Sequence, residues 1–366
     1  MANIMDYLEW RGDITFLTDA FNVVDNLILS ELSYVPMENY VPLCFSDESI
    51  SIETLSRRFF KDNDFDSINR NAKHSDRAPI LLEKASKCKR YKDIRITNFV
   101  NEIDVDSTSQ FSAVTFLLPD NSVFVSFRGT DHTIVGWQED FNMSYMDETA
   151  GQKKSVVYLN NICKRYDAVR VGGHSKGGNL AVYSSSFCDR EAFSHILEIF
   201  SNDGPGFREN VTKSMGYKMA LNKLTSIIPK DSVVGMLLES AKEDLIVDSD
   251  AYGLEQHDIF SWQISGKKLV LLDDVGSWSK IFSETLMNWL NNISDEDREE
   301  FVNIIFTGIY EASMINTESG FDIKVITKFI DKHIKDLPKD KQGRFKDLMS
   351  RLVVAGGKNF IKNFIQ

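Results

Sequence analysis

The stretch DAVRVGGHSKGGNLAVY, Asp167 to Tyr183, decides the fold. Its opening, Asp167-Ala168-Val169-Arg170-Val171, reads as a short β-strand, and Asn179 to Tyr183 reads as a helix. Between them stands Gly173-His174-Ser175-Lys176-Gly177, a G-x-S-x-G. With 20 glycines in 366 residues, chance supplies about one such pentapeptide in ten chains, so the flanks carry the reading rather than the motif. A strand, a very tight turn and a helix make a nucleophile elbow. Gly173 and Gly177 are needed there because strand and helix backbones approach too closely for side chains. Ser175 then stands above the sheet at a helix N-terminus, where developing negative charge is favoured. The plainer alternative is a glycine-rich turn carrying an inert serine.

On either side of this stretch the texture changes. Residues 1 to about 90 read as helical: Val23, Val24, Leu27, Ile28 and Leu32 recur at helical spacing, and Tyr34-Val35-Pro36 stops the run. The charged stretches of residues 53–90 predict a solvated helical layer. From about residue 91 short apolar runs take over. Phe111–Leu118 and Val123–Phe127 flank Pro119-Asp120-Asn121, a hairpin signal. Ala168–Val171, Leu197–Phe200, Leu224–Ile228 and Leu269–Leu272 follow, with helices between several of them. Strands alternating with helices predict a mostly parallel sheet. After Gly276 the strand signals end. Phe282, Leu286, Leu290 and Ile293 mark one helix, Ser294 caps the next, and two more are expected at 321–335 and 340–364. The expected organisation is a core over residues 1–275, with a helical layer at 1–90 and a catalytic part at 91–275. A helical segment at 276–366 packs on it or on a second copy.

Composition narrows the function. Lys and Arg number 42 against 54 Asp and Glu, a net charge of −12. Such a surface repels phosphate backbones and anionic lipid, so nucleic acid is excluded as a partner. The cysteines Cys44, Cys88, Cys163 and Cys188 form no close pair and have no histidine at metal-ligand spacing. Neither a disulfide framework nor a metal site is expected, and no organic cofactor is implied. The N-terminus has acids where a signal peptide has lysines, and no run reaches the roughly 18 apolar residues of a membrane span. These features predict a cytoplasmic protein without integral membrane contact.

A serine nucleophile needs a base, and the base an orienting acid. In this fold the chain order is serine, acid, histidine. Of the six histidines, His74, His132 and His174 precede Ser175, His195 comes too soon after it, and His333 lies in a charged helix. His257, in a polar loop before Ile259–Ile264, remains. The acid should follow a strand between residues 175 and 257. Asp231, after Leu224–Ile228, is the first choice, and Asp203, in Asn202-Asp203-Gly204-Pro205-Gly206, is the alternative. Two backbone donors should face the oxyanion: the N–H of Lys176, and the N–H of Thr130 in the turn Arg128-Gly129-Thr130 that ends Val123–Phe127.

These segments together resemble a known group. Phe127-Arg128-Gly129-Thr130, Trp137, Asp140 and GGHSKGGNLA resemble the class 3, fungal-type lipases of the α/β-hydrolase fold. A closer resemblance is to a bacterial family of α/β-hydrolases of unknown function, through YLEWRGDITF, VDNLILSELSYV, GHSKGGNLA and HDIFSW. The resemblance covers residues 1 to about 270. It implies Ser175, Asp231 and His257 as a triad and Thr130 and Lys176 as oxyanion donors. It also implies structural roles for Arg128 and Asp140, paired beneath the oxyanion turn. Two departures stand out. Lys176 replaces a residue that is usually apolar, and the six residues between Thr130 and Trp137, with Asp131 and His132, are too short and polar for a lipase flap. The implied activity is cleavage of small, soluble acyl esters through an acyl-enzyme. Thioesterase or lysophospholipase chemistry at a membrane surface shares that machinery. A non-catalytic interaction protein on the same scaffold is the reading from another class. The apolar stripe in Leu348–Gln366 fits a helix packed on the core or on a second copy, or a lipid contact.

Overall fold

The computed structural model describes residues 2–131, 133–313 and 331–364. Five helices come first: α1 (Ile4–Arg11), α2 (Val23–Leu32), α3 (Ile52–Asp62), α4 (Phe65–Asn71) and α5 (Ala78–Ala85). Where α1 and α2 start is chemically specified. Asn3 and Asn22 each accept from a backbone N–H of the first turn, while Asp6 and Asp25 reach back to the cap N–H.

A nine-stranded sheet occupies the middle of the molecule. The strands β1 (Ile50–Ser51), β2 (Arg95–Asp104), β3 (Ser109–Leu117) and β4 (Val123–Phe127) run antiparallel. From β4 the sheet continues in parallel through β5 (Val169–His174), β6 (Ile196–Asn202), β7 (Leu224–Pro229) and β8 (Leu245–Val247). The crossovers carry α6 (Ile134–Asn142) and α7 (Ala150–Cys163), then α8 (Lys176–Phe187) and α9 (Arg190–His195), then the short α10 (Glu209–Thr212) and α11 (Met215–Ala220). Two-residue strands β9 (Ile264–Ser265) and β10 (Lys268–Leu269) form a separate hairpin, and β11 (Leu271–Leu272) closes the edge antiparallel to β8. The single strand expected over Leu269–Leu272 is thus divided between two sheets.

Side-chain alternation along the strands builds two cores. From β4, Phe124 enters one core, while Val123, Val125 and Phe127 enter the other. The first lies under α1 to α5, the second under α7 and α8. The solvated character expected for residues 53–90 holds for only one face: Leu55, Phe59, Leu81 and Leu82 are buried in the first core. A sheet that is parallel from β4 to β8 and covered by helices on both faces, with a strand–elbow–helix at β5–α8, is an α/β-hydrolase fold. The last helices, α12 (Ser277–Asn291), α13 (Asp295–Ser313) and α14 (Lys339–Phe364), share a third cluster around Trp289, Phe301, Phe345 and Leu348. Ser294 caps α13 as its sequence suggests. Residues 321–330 of the helix expected at 321–335, and the side chains of the apolar stripe beyond residue 351, lie outside the described residues. No described helix is long and apolar enough to cross a membrane.

One buried ion pair fixes the helical layer to the sheet. Arg90, just before β2, donates to both carboxylate oxygens of Asp25 on α2 at 2.7 and 2.6 Å. Its other N–H groups bond to the carbonyls of Ile14, Asp19 and Ala20, and its guanidinium lies 3.9 Å over the Phe16 ring. Both side chains are out of contact with water. Removing one partner strands a buried charge, whereas removing both does not. Arg90→Met should therefore cost about 3–5 kcal/mol in urea unfolding, and Arg90→Met combined with Asp25→Leu should recover most of that loss. A double variant no more stable than Arg90→Met would show that the pair itself stabilises the layer.

Candidate active site

The elbow takes the form its glycines allow. Ser175 sits between β5 and α8 at φ 56°, ψ −131°, a conformation costly for any residue with a side chain. Its N–H donates to the Asn202 carbonyl at 2.9 Å, which continues the β5–β6 pairing, and its carbonyl accepts from Gly178 at 2.9 Å. A Cβ at Gly173 would meet the Phe127 carbonyl oxygen at 2.4 Å, and one at Gly177 would meet it at 2.0 Å. Both positions therefore exclude side chains.

The structure brings His257 to Asp203 and not to Asp231. His257 Nδ1 donates to Asp203 Oδ2 at 2.6 Å. Asp203 follows β6 directly, is fully buried and takes the left-handed backbone at φ 50° that aspartate tolerates better than most residues. Its other oxygen accepts from Ser232 Oγ at 2.6 Å and from the Gly235 N–H at 3.0 Å. Three donors thus hold a carboxylate buried away from solvent. Asp231, after β7, instead grips Gln256: its N–H donates to Gln256 Oε1, and Gln256 Nε2 donates to Asp231 Oδ2, both at 2.9 Å. Asp231 fastens the residue before the histidine. The carboxylate beside His257 is thus the one that follows β6 and not the one that follows β7, because the loop after β6 adjoins the elbow strand directly.

His174, in the motif itself, contributes more than its position suggested. Its ring lies 4.5 Å from the His257 ring, and its Nε2 donates to the His257 carbonyl at 2.8 Å. Burial first, and then the nearby His257, hold its pKa well below the ordinary value. Of the two imidazoles, whose planes are inclined at 36°, His174 is thereby kept neutral. Glu31 of α2 stands 3.3 Å from His174 Nδ1. Its pKa is raised well above the usual carboxylate range by burial and then by Asp258.

The turn after β4 runs against the elbow. A Cβ at Gly129 would fall 3.1 Å from the Ser175 Cβ and 2.6 Å from the His174 carbonyl oxygen. Thr130 follows, and its hydroxyl donates to Asp140 Oδ2. Arg128 is not paired with Asp140. Its guanidinium turns away to Asn101 at 2.8 Å and Asp131 at 3.5 Å. Asp131 in turn accepts from the Thr133 N–H at 2.9 Å, and Thr133 caps α6. His132 lies outside the described residues.

Lys176 explains its own departure from the lipase pattern. Its side chain is 1% exposed, and its ammonium donates to the Gln110 carbonyl at 2.9 Å, Gln110 Oε1 at 2.6 Å and Glu139 Oε2 at 3.1 Å. All three donors are used. Glu139, equally buried, also accepts from the N–H groups of Gln110 at 3.0 Å and Gly151 at 2.7 Å. The pair joins the elbow to β3, α6 and α7. No cluster of histidine, cysteine or acidic side chains with metal-binding geometry occurs among the described residues, and the four cysteines are free thiols.

Residues 85–307 match the family model described as Mbeg1-like. A comparison with curated proteins finds no match. Among solved structures, the chain is similar to a fungal lipase in complex with an inhibitor at 14% identity, over 48% of this chain and 69% of that one, with a TM-score of 0.33. It is similar to M37 lipase at 13% identity, over 57% and 68%, with a TM-score of 0.35. The extracellular lipase LipA from Serratia marcescens matches at 15% identity, over 45% and 31%, with a TM-score of 0.29.

Asp140 gives the site a pH signature. Burial, opposed by Lys176 and the Thr130 hydroxyl, raises its pKa to about 6. The unfolded chain holds an aspartate at about 3.9, so the folded state favours the protonated form. That contribution to stability is complete below about pH 4 and is lost as pH rises through 6. Asp140→Asn keeps the shape and removes the titration. The stability of the wild type minus that of the variant, from urea unfolding at a series of pH values, should fall between pH 4 and 7. A difference that stays flat would mean that Asp140 does not titrate in this range.

Proposed function

The chain belongs to the Mbeg1-like family, and on the geometry of its elbow we propose that it is a serine hydrolase that cleaves carboxylic esters through an acyl-enzyme. One observation carries the reading. His257, whose Nδ1 rests at 2.6 Å on a fully buried, triply bonded Asp203, accepts through its carbonyl from His174 at 2.8 Å, and His174 is the residue before a serine held at positive φ at the head of α8. A non-catalytic scaffold has no use for either the strain or the buried carboxylate.

In this proposal Ser175 Oγ attacks the ester carbonyl while His257 Nε2 takes its proton. Asp203 fixes the tautomer by accepting from Nδ1–H and stabilises the imidazolium that forms. Neutral His174, its ring 4.5 Å away, adds no opposing charge. The Lys176 and Thr130 N–H groups receive the oxyanion, assisted by the N-terminal end of α8. The tetrahedral adduct collapses as His257 returns its proton to the leaving alcohol. Water then repeats the sequence on the acyl-enzyme and frees the acid.

The substrate proposed is a small, soluble acyl ester. The turn between β4 and α6 is tied down by Asp131 and Thr133 and offers no apolar flap. Trp137 and Phe141, on one face of α6, are about half exposed. In this proposal they offer an acyl chain an apolar surface on α6, the helix that begins four residues after Thr130, with Phe141 packed on Phe306 at 5.5 Å.

Three outcomes test this. Ser175→Ala should abolish labelling by a fluorophosphonate probe while the fold is kept. Asp203→Asn should lower kcat on a nitrophenyl ester by about 10⁴-fold, whereas Asp231→Asn should lower it far less. The reverse ranking would return the acid to Asp231. Finally, the rate should saturate with soluble nitrophenyl butyrate and show no jump at the solubility limit of longer esters. A tenfold rise on crossing a critical micelle concentration would instead identify an interfacial lipase.

A further inference from the structure

The stretch that matches the family model begins at residue 85, yet the helix α2 and the tyrosine just after it reach the neighbours of the residues assigned to the reaction. Asn26 exchanges side-chain hydrogen bonds with Asn202, the residue before Asp203, at 2.8 and 3.2 Å, and Ser30 accepts from Asn202 at 3.1 Å. Glu31 stands 3.3 Å from His174, which precedes Ser175 and holds the His257 carbonyl. Tyr34 closes the set. Its phenol oxygen lies 3.2 Å from His174 Nδ1 and 3.5 Å from the His174 carbonyl. A Cβ at Gly129 would fall 2.1 Å from that oxygen and 3.1 Å from the Ser175 Cβ. The phenol and the nucleophile therefore crowd the same point of the oxyanion turn.

We infer that Tyr34 is a positioning residue for the proposed hydrolase reaction: its hydroxyl braces the backbone of the oxyanion turn, at Gly129, against the elbow at His174, so the N-terminal helical layer is a working part of the active site. The argument is one of tolerance. The distance between the oxyanion donors and Ser175 is set where two loops meet, and loops drift unless held. The Gly173 and Gly177 contacts fix the elbow to Phe127, the last residue of β4. Beyond Phe127 one more rung holds, from the Arg128 N–H to the Ser112 carbonyl of β3 at 3.0 Å, and then the chain leaves the sheet. Arg128 turns to Asn101, and Thr130 turns to Asp140. Gly129 between them has no side chain with which to hold itself. Among the described contacts, Tyr34 is the group from outside the turn and the elbow that presses on both. Its ring, at 5.9 Å and 59° to the His174 ring, also packs beside the imidazole that neighbours His257 at 4.5 Å.

This inference rests on the hydrolase reading, and Tyr34→Phe tests it because the ring, and with it the packing, stays. The protein is the full chain. The expected result is a kcat for nitrophenyl butyrate reduced by about tenfold to a hundredfold, a KM within a factor of two, and a fluorophosphonate labelling rate reduced by the same factor as kcat. Tyr40→Phe removes a phenol hydroxyl from the same layer, one that bonds to Asp62 at 3.0 Å, and should leave kcat unchanged. Wild-type kcat in Tyr34→Phe overturns the inference. So does a deficit that disappears when both proteins are assayed well below their melting temperatures, since that is the mark of a merely structural role. If the wild type itself is not labelled at Ser175, the hydrolase reading falls, and the role of Tyr34 falls with it.

Discussion

The carbonyl oxygen of Phe127 is the point on which the site is assembled. It ends β4, and both the elbow strand and the elbow helix come within side-chain distance of it through Gly173 and Gly177. Three backbones meet there, so Ser175, the N-terminus of α8 and the turn after β4 are placed by one contact and not by three independent ones. The arrangement admits almost no substitution, because a Cβ at either glycine would overlap main-chain atoms that cannot move without breaking the β4–β5 register Phe127↔Gly173. The strain at Ser175 is held by the same pairing, since its N–H is the last rung of the β5–β6 ladder.

Local features were legible in the sequence, and contacts across the fold were not. The elbow could be read because strand, turn and helix are contiguous. The hairpin of β3 and β4 could be read because Pro119-Asp120-Asn121 announces it, and Asn121 does adopt positive φ. His257 could be reached by elimination. Which aspartate meets His257 could not, because chain order admits both Asp203 and Asp231. The choice is made by sheet order: the β6 loop borders the elbow directly through His174↔Asn202, while the β7 loop lies one strand farther out. Asn202-Asp203-Gly204, an aspartate between residues that favour positive φ, was the available signal.

Helix α2 shows a second kind of illegibility. Its apolar residues are evenly read as core, but Asp25, Asn26, Ser30 and Glu31 are buried as well. Sequence patterning assigns polar positions on a helix to water. Here they are spent on Arg90, Asn202 and His174, partners far away in the chain. The same holds for Lys176, which in sequence looks like an exposed intruder in an apolar motif. A buried charge becomes intelligible only when Glu139 and Gln110 are seen around it.

These buried groups settle where charge can reside during a reaction. Lys176 and Glu139 neutralise each other with their hydrogen bonds filled, so neither is available to shift toward the elbow. Glu31 is held toward its protonated form and His174 toward its neutral one. These two groups, on the side of the helical layer, therefore bring no net charge to His257, and the charged partner that its ring meets is Asp203. In a low-dielectric surrounding, a new cation goes where a preorganised anion already waits, because no dipoles need to reorganise as it forms. In the proposed reaction the imidazole that faces Asp203 is thus the one of the two neighbouring rings suited to accept a proton from Ser175, and the other serves by remaining neutral.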